Sequence, residues 1–162
     1  MKKKLFLCFL TFIMLSSLTG GAALANSDFS VEDEPNDTQA TADTAQFWVN
    51  EEDDWFRGYI IGSFNEDTDD TDWFRVEMNF NGDKTFGIGN IKMKLNEFSY
   101  SLTVYDRNMN LRGSMTYREG GSIQEMKDII FREGEDYFFK VEYVSGTPEE
   151  PYLIGIEMDS IF

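Results

Sequence analysis

Residues 73–80 read W-F-R-V-E-M-N-F, and this octapeptide indicates the fold class. Its apolar side chains at Phe74, Val76, Met78 and Phe80 occupy every second position. A period of two residues is typical of a β-strand that buries one face and exposes the other. The same alternation recurs in residues 98–105, 137–144 and 152–158. The sequence therefore predicts several strands around one apolar core.

Shorter runs of aromatic and β-branched residues add candidate strands at residues 58–61, 85–95, 111–117 and 123–131. Gly, Asn and Asp fill the gaps, as in Asn81-Gly82-Asp83, and are turn signals. About eight strands at this spacing predict one all-β domain, an antiparallel β-sandwich or jelly roll.

The first 25 residues have the features of a signal peptide. Lysines at positions 2–4 precede an apolar run at residues 5–18, and Ala23-Leu24-Ala25 forms a small-x-small cleavage site. The apolar run is short for a membrane span of about 20 residues. We therefore expect a secreted, extracellular protein, cell-wall associated or free, without a membrane span after cleavage. Residues 26–50 are expected to form an acidic segment that packs on a sandwich domain of residues 51–162.

Acidic residues dominate the composition. The chain has 30 Asp and Glu against 14 Lys and Arg, for a net charge of −16. Such a surface repels nucleic acid and anionic lipid and makes cations natural partners. The single cysteine lies in the leader and the chain has no histidine, which excludes disulfides, His/Cys zinc sites and Ser-His-Asp triads from the mature protein. A small exported domain without disulfides often uses a metal ion for stability instead.

Two acidic runs give the metal hypothesis its residues. The first is V-E-D-E-P-N-D-T at residues 31–38, and the second is D-T-D-D-T-D at residues 67–72. Crowded carboxylates repel one another unless a cation lies among them, and dense hard oxygens suit Ca²⁺ best. We expect the two runs to close on one calcium site. The alternative is a solvated acidic turn without an ion. Between the runs, residues 38–45 are expected to form a short helical turn or a loop.

An ordered set of motifs resembles a known family. E-D-E-P-N-D-T at residues 32–38 is followed by G-Y-I-I-G-S, D-D-T-D-W-F-R-V, S-L-T-V-Y-D, G-E-D-Y-F-F-K-V-E-Y and P-Y-L-I-G-I. This order resembles the bacterial pre-peptidase C-terminal domain, which includes the collagen-binding domains of clostridial collagenases. The resemblance implies a jelly-roll sandwich with calcium held between the N-terminal acidic segment and the loop before the aromatic strand. The matching positions are Glu32, Glu34, Asn36, Asp37, Ser63, Asp69 and Asp72.

The resemblance also implies a non-catalytic module, because such domains are usually appended to secreted peptidases. We expect this one to act without an attached peptidase and to bind an extracellular protein or polysaccharide, or to assist a secreted hydrolase in trans. Collagen-binding members carry exposed tyrosines on the strand that matches residues 137–144. Here the outward face carries Phe138, Lys140 and Glu142 as candidate ligand-binding residues. Most of the tyrosine pattern is missing, which argues against collagen.

Two other functions are compatible with the residue types. A carboxylate-pair glycoside hydrolase could draw on the many Asp and Glu residues, but no pattern indicates one carboxyl group in a dry pocket and another in water. A purely structural cell-surface protein is the third possibility. Four aromatic residues near the acidic runs could form a stacking platform for sugar or peptide, or could close one end of the sandwich: Trp48, Trp55, Phe56 and Trp73.

Overall fold

The computed structural model describes residues 29–45, 48–50, 55–64, 70–80, 83–93, 97–148 and 150–162, and gives the backbone alone at residues 48–50, 55–56 and 159. Within these ranges the chain forms eleven strands and one short 3₁₀ helix. The strands are β1 (Phe29–Val31), β2 (Asp43–Ala45), β3 (Trp48–Asn50), β4 (Trp55–Gly62), β5 (Thr71–Glu77), β6 (Phe86–Met93), β7 (Phe98–Asp106), β8 (Leu111–Tyr117), β9 (Gln124–Arg132), β10 (Asp136–Gly146) and β11 (Tyr152–Ile161). The 3₁₀ helix spans Gln39–Thr41.

The strands form two sheets that pack face to face as a β-sandwich. The six-stranded sheet has the order β1-β4-β11-β6-β9, with β3 pairing a different part of β4, and the five-stranded sheet has the order β2-β5-β10-β7-β8. The predicted all-β sandwich is confirmed, and strands β4 to β11 cover the eight segments expected from the sequence. The three additional strands all lie in the N-terminal segment.

Alternation places the core as expected. Along β5 and just beyond it, Phe74, Val76, Met78 and Phe80 expose no more than 4% of their surface. Tyr137 and Phe139 of β10 are likewise fully buried. Each large apolar side chain removed from water contributes about 1.5–3 kcal/mol to folding. The two sheets are therefore held together by the inward-facing side chains of their long strands.

The N-terminal segment joins both sheets, and it does so in parallel. Strand β1 pairs with Tyr59–Ile61 of β4, and β2 pairs with Phe74–Val76 of β5. These two parallel pairs make both sheets mixed instead of purely antiparallel. Because β1 and β2 have three residues each, they are too short for an alternation of apolar and polar residues to be recognised. The connection between them, residues 32–42, crosses from one sheet to the other.

A helical turn lies in this connection, in the first part of residues 38–45, where a helical turn or a loop was expected; the last part, Asp43–Ala45, forms a strand instead. Thr38 caps it: the Thr41 backbone N–H donates to Thr38 Oγ1 at 3.3 Å, and the Thr38 N–H donates to Thr41 Oγ1 at 3.2 Å. Reciprocal capping of this kind satisfies the backbone donors at the start of a helix.

Among the described residues, no helix has the length and apolar character needed to cross a membrane.

Candidate metal centre

The alternation of β5 carries an acidic side chain into the interior. Asp72 occupies the inward position that precedes Phe74 and Val76, and it exposes 0% of its surface. One of its oxygens, Oδ2, accepts a hydrogen bond of 2.5 Å from the Tyr152 hydroxyl. A carboxylate in this position has almost no water to solvate it, so its environment depends on its protein neighbours.

Glu32 reaches the same place from the N-terminal segment. Its backbone N–H donates to the Ile61 carbonyl at 3.0 Å, and its Oε2 accepts from the Ser63 backbone N–H at 2.5 Å. Gly62 makes this approach possible, because a Cβ atom there would lie 2.1 Å from the Tyr152 hydroxyl oxygen and 2.6 Å from Glu32 Oε2. The close packing of these three residues therefore requires a glycine.

Asn36 ties the segment to the start of β5. Its side chain is fully buried, its backbone carbonyl accepts from the Trp73 N–H at 3.0 Å, and its own N–H donates to Glu34 Oε2 at 3.1 Å. Its side-chain nitrogen donates to Asp43 Oδ2 at 3.3 Å, and the same oxygen accepts from the Asp33 N–H at 2.7 Å. These bonds hold the acidic segment in one conformation against the sandwich.

Two overlapping acidic groups result. Carboxylate oxygens of Glu32, Glu34 and Asp72 all lie within 4.8 Å of one another, and so do those of Glu34, Asp37 and Asp70. Glu34 belongs to both groups. Both groups could hold a metal ion, since each brings three carboxylate oxygens into the reach of one cation.

Among the described residues, three buried oxygens of the acidic segment and the start of β5 have no hydrogen-bond partner. They are Glu32 Oε1, Asn36 Oδ1 and Asp72 Oδ1. An unsatisfied buried acceptor costs about 1–3 kcal/mol, and more when it is charged. In each of these side chains the other polar atom is hydrogen-bonded. The protein thus orients these three side chains while leaving one oxygen of each without a donor.

The electrostatics are unfavourable without such a group. Burial, followed by repulsion from Asp72, raises the pKa of Glu32 to about 8. Burial also raises the pKa of Asp72 to about 7, against the opposing effect of the Tyr152 hydrogen bond. Burial, together with the charges of Asp72 and Glu32, raises the pKa of Tyr152 well above its ordinary value, so its hydroxyl remains a donor. A cation among these groups would favour their ionised forms.

The structure brings together most residues of the calcium hypothesis. Glu32, Glu34 and Asp72 share one group, and Asp37 lies in the other group with Asp70, a member of the second acidic run. Ser63 is exposed and contributes its backbone N–H to Glu32. Asn36 is buried beside Glu34 and the start of β5.

Asp69 and Asp67 lie outside the described residues. Sequence reasoning missed Tyr152, Gly62 and Asp43, whose roles depend on neighbours distant in the chain.

The candidate ligand residues lie on a different surface, the outward face of the five-stranded sheet. Lys140 Nζ lies 2.6 Å from Glu142 Oε1 and 5.9 Å from the ring centre of Trp73. The rings of Trp73 and Tyr105 stack with their centres 5.9 Å apart. Phe138 is the β10 register partner of Tyr105 and is half-buried. The sheet thus collects three aromatic side chains on one face, while Trp48, Trp55 and Phe56 have no described side chains.

Comparisons with known proteins give distant likenesses only. No protein-family model matches the chain, and no curated protein matches it. A carbohydrate-binding module CBM36 solved with calcium and xylotriose is 12% identical at a TM-score of 0.36, over 70% of this chain and 92% of that one. A Podospora anserina GH26-CBM35 β-(1,4)-mannanase is 12% identical at 0.35, over 59% of this chain and 20% of that one. A Paenibacillus barengoltzii β-glucosidase is 12% identical at 0.32, over 83% and 14%.

The chain therefore corresponds to a small part of both enzymes. Likenesses at these TM-scores show nothing about the function of this chain.

Proposed function

We propose that the protein is a secreted, non-catalytic, calcium-binding β-sandwich module in which the ion fastens the N-terminal segment to both sheets. One observation carries this proposal: among the described residues, buried oxygens of Glu32 and Asp72 that have no hydrogen-bond partner lie where three carboxylates converge. A solvated acidic turn would expose these oxygens to water. The motif order that resembles the pre-peptidase C-terminal family supports the same reading, and the leader supports secretion.

Calcium fits the donor set better than other common ions. The candidate ligands are carboxylate and amide oxygens, and Ca²⁺ takes six to eight such oxygens at about 2.3–2.6 Å in flexible geometry. Mg²⁺ demands near-ideal octahedral geometry and keeps several waters, which suits a buried and irregular site poorly. Zn²⁺ prefers nitrogen and sulfur ligands, and the chain has no histidine. Glu32, Glu34, Asp72 and Asn36 would hold the ion, with Asp37 and Asp70 adjacent.

The site suits a structural ion better than hydrolysis. A glycoside hydrolase needs both carboxyl groups to reach the glycosidic bond. Asp72 exposes 0% of its surface and its Oδ2 accepts from Tyr152, so it cannot contact a polysaccharide. The pair Glu32 and Asp72 is therefore placed to hold an ion.

The aromatic face favours an extracellular binding role. Trp73, Tyr105 and Phe138 offer stacking surface, and the Lys140 charge is balanced by Glu142. Aromatic rings bind sugar and peptide groups through their apolar faces. We propose that this face binds an extracellular polysaccharide or protein, or that it assists a secreted hydrolase in trans.

Thermal unfolding with and without calcium tests the calcium proposal. At a tenfold excess over its dissociation constant, calcium should stabilise the fold by about 1.4 kcal/mol, because only the folded protein binds it tightly. In a domain of this size the melting temperature should rise by about 3–6 °C relative to EDTA. Glu32→Gln should abolish the rise, whereas Glu142→Gln on the far face should keep it. An unchanged melting temperature of the native protein at millimolar calcium would refute the proposal.

A further inference from the structure

Apolar side chains are exposed on the outward face of the six-stranded sheet, where the N-terminal segment joins it. Phe29 and Val31 of β1 expose 51% and 70% of their surfaces, and Val31 is the most exposed large apolar side chain in the described part of the chain. Single exposed apolar residues are common on soluble proteins, whereas a contiguous group is typical of an interaction surface.

Strand pairing continues this surface onto two neighbouring strands. Phe29 and Val31 are in register with Tyr59 and Ile61 of β4, and Ile61 is in register with Leu153 of β11. The rings of Phe29 and Tyr59 stack with their centres 5.1 Å apart. Tyr59, Ile61 and Leu153 are half-buried, and Pro151 is exposed at the start of β11. We call this group the N-terminal apolar patch: Phe29, Val31, Tyr59, Ile61, Pro151 and Leu153.

The size of the patch suits one face of an α-helix. Neighbouring strands lie about 4.8 Å apart, and every second residue of a strand is about 6.7 Å further along it. Three strands and two rows therefore give the patch an extent of about 10 Å by 7 Å. Apolar side chains at positions i, i+3, i+4 and i+7 of a helix span about 10 Å, and such a face against an apolar surface is a common mode of peptide recognition.

A depression of about 220 Å³ lies where the patch meets the acidic segment. Val31, Ile61 and Pro151 form its apolar wall, and Glu32 and Glu34 form its acidic wall. Pockets for drug-sized ligands begin at about 300 Å³, so this depression suits a single apolar side chain. A partner that inserts such a side chain brings its neighbouring residues close to the two carboxyl groups.

The distribution of charge selects a cationic partner. Residues 26–72, which include the N-terminal segment and β4, carry 15 Asp and Glu residues and one basic residue, Arg57. Residues 73–162 carry the other 15 acidic residues together with 10 basic ones. A divalent ion in the acidic centre would still leave residues 26–72 strongly negative. A surface of this sign attracts segments rich in Lys and Arg and repels anionic ones.

We infer that the N-terminal apolar patch binds a cationic amphipathic helix of another protein or peptide. Apolar side chains of the helix lie on the patch, one of them in the depression, and its Lys or Arg side chains face the acidic segment. This inference goes beyond the proposed function, because it requires neither a bound ion nor the aromatic face, which lies on the other sheet.

Fluorescence anisotropy with a labelled helical peptide of Leu and Lys tests the inference. The peptide has Leu at the i, i+3, i+4 and i+7 positions and is titrated with the leader-free protein. Two matched peptides, one with Glu in place of Lys and one with Ser in place of Leu, should each bind at least about tenfold more weakly. Raising the salt concentration from about 0.1 M to about 1 M should weaken binding of the Leu and Lys peptide, because salt screens exposed charges.

Two valines of the protein locate the site. Val31→Arg removes an apolar contact and adds a repelling charge, so the peptide should bind at least about fivefold more weakly. Val144→Arg adds the same charge on β10 of the other sheet, where Val144 exposes 50% of its surface, and should bind within about twofold of the native protein. Val31→Ser, which removes the apolar contact alone, should weaken binding less than Val31→Arg. Because both valines are exposed, the melting temperatures of these variants should stay close to that of the native protein.

The inference is wrong if the Glu peptide binds as tightly as the Lys peptide, or if the Ser peptide binds as tightly as the Leu peptide. Equal losses in Val31→Arg and Val144→Arg would show that overall charge, and not the patch, attracts the peptide. Co-sedimentation of the protein with phosphatidylcholine vesicles, abolished by Val31→Arg, would make a lipid surface the partner. The calcium proposal is tested by the melting temperature and stands or falls separately.

Discussion

Asp72 and Asp106 are the two buried aspartates of the described sandwich, and their surroundings are opposite. Asp106, at the end of β7, accepts from the Asn110 side chain and from the backbone N–H groups of Asn108 and Asn110, all within 2.9 Å, and Arg112 lies 3.2 Å away. These groups, led by the Asn110 side chain, lower its pKa. Asp72 has one hydrogen-bond donor, Tyr152, and a pKa raised to about 7. Burial alone therefore does not decide the charge state of an aspartate; the supply of donors does.

The difference separates an aspartate whose charge is stabilised by donors of the protein, Asp106, from one whose charge is not, Asp72. The turn at residues 106–110 folds its own donors around Asp106, so the sequence that creates the charge also stabilises it. Among the described residues, Asp72 accepts a hydrogen bond from Tyr152 alone, and its neighbours Glu32 and Glu34 add negative charge. An ion supplied from outside would do for Asp72 what three residues of the chain do for Asp106.

The largest expected effect on stability comes from filling the space between Tyr152 and Glu32 that Gly62 leaves free. Gly62→Ala should destabilise the protein by about 1–3 kcal/mol and abolish calcium binding, because the added Cβ would overlap the Tyr152 hydroxyl and Glu32 Oε2. Chemical denaturation with and without calcium measures both effects. Gly155→Ala on β11 is the matched control: its Cβ would meet only the Tyr59 ring, at 3.2 Å, and should cost less. Retained calcium binding in Gly62→Ala would contradict the packing described for Glu32.

The second prediction removes the aspartate at position 106 and should lower stability without changing calcium binding. Asp106→Ala leaves the Asn108 and Asn110 N–H groups without their acceptor. The melting temperature should fall by several degrees, equally in calcium and in EDTA. A fall that depended on calcium would mean that Asp106 is linked to the ion.

The third prediction is that Asp72→Asn changes the melting temperature differently in EDTA and in calcium. Asp72→Asn removes a buried negative charge, so in EDTA the melting temperature should stay the same or rise. In calcium the variant should lack the rise of about 3–6 °C expected for the native protein, because the ion loses a carboxylate ligand. Differential scanning fluorimetry under both conditions measures it. A fall in EDTA equal to that of Asp106→Ala would show that Asp72 is already satisfied without an ion.

The last prediction concerns the dependence of stability on pH. The folded-state pKa values of Asp72 and Glu32 are raised to about 7 and about 8 from ordinary values of 3.8 and 4.5. Between these limits the folded protein binds more protons than the unfolded chain, so these groups make the ion-free protein less stable as pH rises from about 4 to about 8. Calcium competes with those protons, so its stabilising effect should grow over the same range.

Melting temperatures measured with calcium and with EDTA from pH 4 to pH 8 test this, because other titrating groups contribute to both series and cancel in the difference. The Asp72→Asn variant should show a flatter difference. A calcium effect that is constant with pH would contradict the raised pKa values.

The fold was largely predictable from the sequence, because strands of seven or more residues repeat their alternation often enough to be read. In β5 and β10 the inward side chains are those that the pattern indicates, such as Phe74 in β5 and Phe139 in β10. Strands β1 and β2 were not predictable, since three residues show no period and their pairing depends on where the chain leads them.

The candidate site was predictable in its charges and not in its supports. Clustered Asp and Glu residues indicate a cation by their number alone, and the structure groups Glu32, Glu34 and Asp72. Tyr152 and Gly62 are register partners on neighbouring strands, and only that pairing gives the tyrosine hydroxyl its place beside Asp72. Likewise, Trp73 joins Tyr105 across the sheet because β10 brings β5 and β7 to its two sides.

The N-terminal segment also covers outer strands that could otherwise pair with another molecule. By adding β1 beside β4 and β2 beside β5, one short stretch covers part of an outer strand in each sheet. Uncovered outer strands present rows of free backbone N–H and C=O groups that invite pairing with another chain and, eventually, aggregation. The same residues that gather the acidic centre thus cover two sheet edges at once, so detachment of this one segment would uncover both.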